Sequence, residues 1–251
     1  IWDLHVSSER VSWSENDGSL NSYHLDSGEF LEVDNSHPQG IYAVDEHAIF
    51  MANNDWIVAD KHSTERNDDL IVIDLNTNNT DMLTASNLLG KRVSDPMNLG
   101  FLESSELQLV GDFIVGSTLY LDGATKGIFA YNLNNGETSL FESDLLFTLA
   151  KSNDNNTVVY STIGNGGLDE GYVALNIDTM QLKRVTEASN LSIETVSDDG
   201  SSMTYDGQGY VGVVNDIWNP KYGEVIATVK HGNDPTPVAP APQPTPDPTP
   251  V

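Results

Sequence analysis

The sequence predicts an all-β protein: a β-propeller of about five four-stranded antiparallel blades, followed by an extended Pro-rich tail. Short alternating apolar segments return throughout the chain, with Asn, Asp and Gly turns between them. The best-defined group of these segments repeats at an interval typical of propellers and solenoids. A third observation is the change of composition near residue 234, where proline begins to alternate with other residues.

The clearest repeating unit covers residues 151–186. Its loop, Gly164 to Gly171, contains four glycines, which interrupt a strand because they carry no side chain to pack. On either side of the loop, and just upstream of the unit, period-two or continuous apolar runs predict strands. The four predicted strands are Leu145 to Leu149, Val158 to Thr162, Tyr172 to Ile177 and Leu182 to Val185. This is the content of one propeller blade.

The following segment repeats this layout. Ser197-Asp198-Asp199-Gly200, followed by Met203-Thr204-Tyr205, matches the turn at Ser152 and the strand after it, 45 residues upstream. Elsewhere the repeat is marked by an apolar residue placed directly before an Asn/Asp-rich turn, a residue choice that suits tight hairpins. These anchors are Leu25, Leu75, Leu133 and Ile177.

The turn from Ser197 to Gly200 and the strand that follows it resemble the repeat of TolB-like and WD40-like β-propellers. The resemblance covers residues 151–229 best, and then residues 1–33 and 41–142. It implies the fold alone, because propellers support many unrelated activities.

The predicted blades can be placed in chain order. Blade one covers residues 1–33, blade two covers residues 41–83, and blade three ends at Ser143. A short helix capped by Ser86 is expected over Ala85 to Arg92. Blades four and five follow, and the last is expected to close near Glu224 to Val229. The propeller domain therefore covers residues 1–233, and residues 234–251 form a Pro/Thr-rich linker to a further module or anchor.

Composition limits the classes of partner. With 38 acidic and 11 basic residues, the formal net charge is -27, which disfavours nucleic acid and anionic membranes as direct partners. The absence of cysteine excludes disulfides, thiolate metal sites and a cysteine nucleophile. No apolar run approaches the ~18 residues of a membrane helix. These features are typical of a bacterial extracellular, cell-surface or periplasmic protein, here predicted to be part of a larger multidomain chain.

The loops between the two middle strands of each blade provide a candidate metal site. In a propeller these loops gather on one face, and here every one carries an acidic residue. Hard carboxylate oxygens suit Ca²⁺, whereas Asp and Gly are also ordinary loop residues in so acidic a chain. The candidate ligands are Asp17, Asp68, Asp69, Asp122, Asp169, Glu170 and Asp206.

Three aromatic residues form a second candidate surface. Trp218 and Tyr222 lie in the expected last hairpin, Asp216 to Gly223, and Trp56 lies in blade two. Such rings provide a platform for stacking sugars or contacting a protein, and packing inside the fold is the alternative.

No familiar catalytic motif is present in the sequence, so the prediction leans against catalysis. The preferred hypothesis is a non-catalytic extracellular module that binds a glycan or a protein. One alternative is a five-bladed polysaccharide-degrading enzyme that uses the carboxylates of Asp17, Asp122 and Asp206. The other is a passive spacer domain of an adhesin.

Overall fold

The computed structural model describes residues 3–15, 19–33, 49–61, 69–89, 107–121, 125–143, 145–153, 155–163, 169–186, 192–207, 210–214, 216–218 and 228–231. Within these residues the chain forms twenty β-strands and one short α-helix. The strands make five antiparallel sheets, which we number in the order in which the chain builds them.

The first two sheets are four-stranded, and each strand pairs with its neighbour along the chain. Short turns between apolar segments favour this order, because antiparallel neighbours can be joined by tight hairpins. Sheet one contains β1 (Leu4–Val6), β2 (Arg10–Ser14), β3 (Leu20–His24) and β4 (Phe30–Val33). Sheet two contains β5 (Phe50–Ala52), β6 (Trp56–Lys61), β7 (Asp69–Asp74) and β8 (Asn79–Leu83).

The remaining sheets follow a short helix, α1 (Ala85–Leu89). No described helix is long and apolar enough to cross a membrane. Sheet three contains β9 (Gln108–Val110), β10 (Phe113–Leu121), β11 (Thr125–Asn132) and β12 (Thr138–Ser143). Sheet four contains β13 (Leu146–Ser152), β14 (Thr157–Ile163), β15 (Asp169–Asn176) and β16 (Gln181–Thr186). Sheet five contains β17 (Ser192–Val196), β18 (Met203–Gly207) and β19 (Tyr210–Val214), and β20 (Thr228–His231) joins the outer edge of sheet three.

One backbone hydrogen bond recurs in all five sheets and confirms the predicted repeat. The residue just after the third strand, or for sheet five shortly after it, donates its N–H to a carbonyl in the first turn of the same sheet, between strands one and two. The donor–acceptor pairs are Leu25 to Glu9, Leu75 to Asp55, Leu133 to Asp112, Ile177 to Asn156 and Ile217 to Ser201, at 2.8–2.9 Å. The four anchors read from the sequence are therefore equivalent, and Ile217 is the fifth.

The hydrophobic core lies between neighbouring sheets. Leu20 of sheet one packs with Ile57 and Ile71 of sheet two, and the opposite face of sheet two packs on sheet three. Two further clusters join sheet three to sheet four and sheet four to sheet five. The first strands also approach one another in sequence, with contacts between β1 and β5, β5 and β9, and β13 and β17. Sheets packed face to face with their first strands innermost form a β-propeller, as predicted.

Sheet one has one face that no described sheet covers. Its register places Leu4, Val6, Tyr23 and Phe30 on the same side, and Leu4, Val6 and Phe30 are all more than half exposed. Val213 in sheet five is also more than half exposed. Within the described residues, the propeller is therefore open between sheets five and one.

Two elements differ from the sequence prediction. Blade five was expected to close near Glu224 to Val229, but β20 (Thr228–His231), which includes the end of that range, pairs antiparallel with β12, whose outer edge offers unpaired backbone groups. Helix α1 is capped by Thr84 and not by Ser86, because the helix begins at Ala85. The Thr84 hydroxyl accepts from Asn87 N–H at 3.3 Å, and Asn87 Oδ1 accepts from Thr84 N–H at 2.8 Å. Residues 234–251 lie outside the described part of the chain.

Candidate functional site

A polar cavity of about 520 Å³ lies where the first turns of all five sheets meet. Each sheet contributes at least one residue to its wall. One representative from each sheet, in order, is Ser8, Asn54, Gly111, Asn155 and Asp198. Because turns from every sheet surround this cavity, it marks the centre of the propeller. We call it the axial cavity.

In sheets one, two, four and five the first turn is held by a side-chain oxygen at its start, whereas in sheet three the turn begins at Gly111. Asn53 Oδ1 accepts from the N–H groups of Asp55 and Trp56, both at 2.9 Å. Asn153 Oδ1 accepts from three successive N–H groups, those of residues 155, 156 and 157, at 2.7–3.3 Å. Asn and Ser suit this position because their short side chains reach nearby backbone donors. The turns are therefore rigid before any ligand arrives.

In sheet five the same role falls to Ser197, whose hydroxyl accepts from Ser202 N–H at 2.9 Å. The Ser197 hydroxyl also donates to the Asp199 carboxylate at 2.7 Å, and Ser201 donates to it through both N–H and hydroxyl. These bonds, led by the one from Ser197, lower the pKa of Asp199 to about 2. Asp199 is therefore ionised over the ordinary pH range.

Hydrogen bonds also join the first turns of neighbouring sheets. Between sheets one and two, Asn54 Oδ1 accepts from the Ser7 hydroxyl at 2.7 Å, and Asn54 Nδ2 donates to Ser8 Oγ at 2.9 Å. Between sheets two and three, Asn53 Nδ2 donates to the Gly111 carbonyl at 2.8 Å. Amide side chains thus hold the wall of the cavity together across sheet boundaries.

The same arrangement continues around the axis. Between sheets three and four, the Ser152 hydroxyl donates to Gln108 Oε1 at 2.9 Å. Between sheets four and five, Asn153 Nδ2 donates to the Ser197 carbonyl at 2.8 Å, and Asn155 Nδ2 donates to the Asp198 carbonyl at 3.0 Å. Among the described residues, no hydrogen bond joins the first turns of sheets five and one.

The groups left for a ligand are mainly acceptors. Within the described chain, the carboxylate of Asp198 and the imidazole of His5 make no hydrogen bond or ion pair, and one oxygen of Asp55 is uncommitted. Asn155 uses its amide nitrogen and leaves Oδ1 free. Such a wall can accept hydrogen bonds from N–H or O–H groups, and its carboxylates favour a ligand that carries positive charge.

Four of the seven predicted metal ligands are described, and they lie at the end of the sheets opposite the first turns. Asp17, Asp68 and Asp122 lie outside the described residues. Four acids expected in loops instead belong to strands: Asp69 to β7, Asp169 and Glu170 to β15, and Asp206 to β18. They were misplaced because backbone pairing continues to polar strand ends, as in the pair of Asp69 with Lys61. No group of three or more His, Asp or Glu among the described side chains could hold a metal ion.

The predicted aromatic residues lie at different sheet–sheet interfaces. Trp56 is buried between sheets two and three and donates its indole N–H to Asp112 Oδ1 at 3.0 Å. Trp218 is half-buried beside the cluster of sheets four and five, and it donates to the Gly200 carbonyl at 2.6 Å. Tyr222 lies outside the described residues. The structure therefore does not bring the two tryptophans together, and ligand stacking on either ring stays a prediction.

The residues that line the axial cavity were not singled out from the sequence. One signal for them was present: four of the five first turns have a Ser or Asn at their start, and two of these turns, at Ser152 and Ser197, had been matched as a repeat. Grouping every such turn about one axis would have identified the wall.

Comparisons with known proteins give no family assignment. No family profile matches the chain, and no curated protein matches it. Among solved structures, the chain is similar to TolB from Acinetobacter baumannii, with 11% sequence identity and a TM-score of 0.44. The match covers 85% of this chain and 51% of that protein, so the chain spans about half the length of TolB.

Proposed function

We propose that this chain is a non-catalytic binding module that takes a protein or glycan ligand at its axial cavity. The observation that carries this proposal is the cavity wall itself. Turns from five sheets converge there, and in four of them a side-chain oxygen at the start of the turn accepts from a backbone N–H group of the same turn. A preformed polar concavity on a rigid scaffold is the usual setting for recognition.

The free groups at the wall favour a ligand rich in donors. Peptide N–H groups, Lys or Arg side chains and sugar hydroxyls would all satisfy the exposed acceptors, in particular the carboxylate of Asp198 and Asn155 Oδ1. The formal charge of -27 adds a long-range preference for cationic partners and weakens with salt. The acceptors of the cavity wall and the negative net charge both disfavour anionic ligands.

We place the module outside the cytoplasm, at a bacterial cell surface or in the periplasm. The support is the acidic composition, the absence of cysteine and the Pro/Thr-rich residues 234–251, which resemble linkers between modules. Calcium bound by the acids of the middle loops is part of the same proposal, and its support is the recurrence of those acids in each predicted loop.

The test uses the intact 251-residue chain on a glycan array and on an immobilised peptide library, both in calcium-containing buffer. Asp198→Asn removes one charge from the cavity wall, and Glu32→Gln removes one charge from an exposed position of β4 away from the cavity. We expect ligands found on either array to lose about tenfold in affinity with Asp198→Asn, since a charged hydrogen bond contributes ~1.5–3 kcal/mol. The Glu32→Gln control should bind as the parent does.

Two outcomes would contradict the proposal. The first is that no ligand binds on either the glycan array or the peptide library. The second is turnover of a polysaccharide that a single Asp→Asn substitution abolishes, which would favour an enzyme instead.

A further inference from the structure

A second and smaller cavity, of about 210 Å³, lies between sheets two and three. It shares no lining residue with the axial cavity. Sheet two contributes Trp56, Val72, Asp81 and Leu83, and sheet three contributes Tyr131 and Leu133. We call it the intersheet pocket. Its volume is below that of a typical drug-sized site and suits a small chemical group.

The inner wall of the intersheet pocket is aromatic and aliphatic. Trp56 and Tyr131 are each only 8% exposed, and both belong to the core cluster that joins the two sheets. The indole N–H of Trp56 is already used by Asp112, which fixes the ring. Leu83 packs in the same cluster, so the wall is held in place by the fold.

The hydroxyl of Tyr131 is the observation that points to a ligand. The side chain is more than nine-tenths buried and lines the pocket, yet its hydroxyl makes no hydrogen bond to any described residue. The hydroxyl lies on the side of the β11–β12 turn, where a Cβ on Gly136 would be 3.4 Å from it. The hydroxyl oxygen is not among the fully buried unpaired atoms of the described residues, so it is accessible and free to accept a hydrogen bond from a ligand in the pocket.

The charges around the pocket are all negative. Asp81 is exposed at the rim, and within the described residues its carboxylate has no hydrogen bond or ion pair. Burial, and then the charge of Asp81, raise the pKa of Tyr131. Asp74 also lines the pocket. Partial burial acts to raise its pKa, but hydrogen bonds from Thr77 and from backbone N–H groups outweigh burial and lower it, so Asp74 stays ionised.

We propose that the intersheet pocket binds a primary alkylammonium group, from either a free amine or a lysine side chain. The ammonium donates to the Tyr131 hydroxyl and faces the carboxylate of Asp81, while its methylene groups lie against Trp56 and the aliphatic wall. An ammonium close to aromatic rings gains further electrostatic attraction from their negative faces. Among the described residues, no Lys, Arg or His lines the pocket to compete for these groups.

The test measures binding to the intact chain by calorimetry and tryptophan fluorescence with three probes. These are n-butylammonium, its neutral counterpart 1-butanol, and lysine blocked at both its amino and carboxyl ends. We expect n-butylammonium to bind at least about tenfold more tightly than 1-butanol, because the difference reports the charge. Tighter binding of the blocked lysine than of n-butylammonium identifies a protein side chain as the source, and weaker binding identifies a free amine.

Two variants locate the site. Asp81→Asn keeps the shape of an exposed side chain and removes its charge, and Tyr131→Phe keeps the ring and removes the hydroxyl. Each should weaken binding of n-butylammonium by about three- to tenfold, and Asp81→Asn should leave binding of 1-butanol unchanged. Glu32→Gln, at an exposed position of β4 that lines neither cavity, is the control and should have no effect. The proposal is overturned if neither ammonium probe binds, if 1-butanol binds as well as n-butylammonium, or if both variants bind as the parent does.

Discussion

Replacing Gly200 by alanine tests the contact between the first turns of sheets four and five. Gly200 has a φ of +66°, a left-handed conformation that an L side chain rarely adopts. A Cβ at this position would overlap Thr157 Oγ1 and lie 2.5 Å from Asn156 Oδ1, both in sheet four. Neither group can withdraw freely, because the Thr157 hydroxyl donates to Asn156 Oδ1 at 2.9 Å.

The expected loss has two parts. The left-handed backbone costs alanine about 1–2 kcal/mol, and the forced movement of packed groups costs about 1–3 kcal/mol more. Gly28 is a matched control, because its φ of +71° carries the same backbone cost while a Cβ there would meet only Tyr23 Oη, at 3.6 Å. Gly28→Ala should therefore cost about 1–2 kcal/mol.

Urea unfolding followed by tryptophan fluorescence measures both variants, and thermal unfolding should give a midpoint fall of about 2–4 °C for each kcal/mol. The reasoning is refuted if Gly200→Ala is no more destabilising than Gly28→Ala, because the difference between them isolates the contact of the two sheets.

Three further measurements test the first turns of sheets four and five and the predicted calcium site. Asn153 is 6% exposed, and Asn153→Ala should lower the free energy of unfolding by about 2–4 kcal/mol. Asn155 is exposed, and Asn155→Ala should lower it by about 1 kcal/mol. Equal losses in urea titrations would argue that the buried hydrogen bonds of Asn153 do not stabilise the fold. The lowered pKa of Asp199, about 2, means that its stabilising effect is full above the unfolded value near 4 and is lost as pH falls toward 2. Asp199→Asn should accordingly be less stable than the parent at pH 6, with the gap closing by pH 2, whereas a gap independent of pH would contradict the assignment. Calcium at millimolar concentration should raise the melting temperature if the middle-loop acids bind it, and an unchanged melting temperature would exclude a specific site.

The repeat could be read from the sequence because it is encoded locally. Leu75 and Leu133, for example, each follow a residue whose side chain holds the turn. The side-chain oxygens of Asp74 and Asn132 accept from the N–H groups of Asn76 and Asn134. Each such turn is complete within a few residues, so a single sequence carries the signal. The same holds for the two turns at Ser152 and Ser197.

The candidate site could not be read in the same way. Asn54 and Asp198 lie in different sheets, and only the packing of those sheets brings them to one cavity. The intersheet pocket likewise depends on Tyr131 meeting residues that precede it by about fifty positions or more. Nothing in the local pattern indicates such distant neighbours.

Strand ends were the other source of error. Asp169 and Glu170 follow a glycine-rich run and are poor strand formers, so a loop was expected. The backbone ladder of β14 and β15 nevertheless extends to Asp169, which pairs with Ile163 through a register shift. Bulges of this kind allow pairing to continue past residues with low strand propensity.

The central claim is that first turns of different sheets surround one axial cavity. The absence of cysteine allows spin labels to be attached at introduced cysteines, and pulsed electron paramagnetic resonance then measures the distance between them. Two pairs are informative: Ser8→Cys with Asp198→Cys, and Ser8→Cys with Asp206→Cys. Ser8 and Asp198 both line the cavity, whereas Asp206 lies toward the opposite end of β18. The account predicts one narrow distribution for the first pair, at a shorter distance than for the second, and equal distances or the reverse order would contradict it.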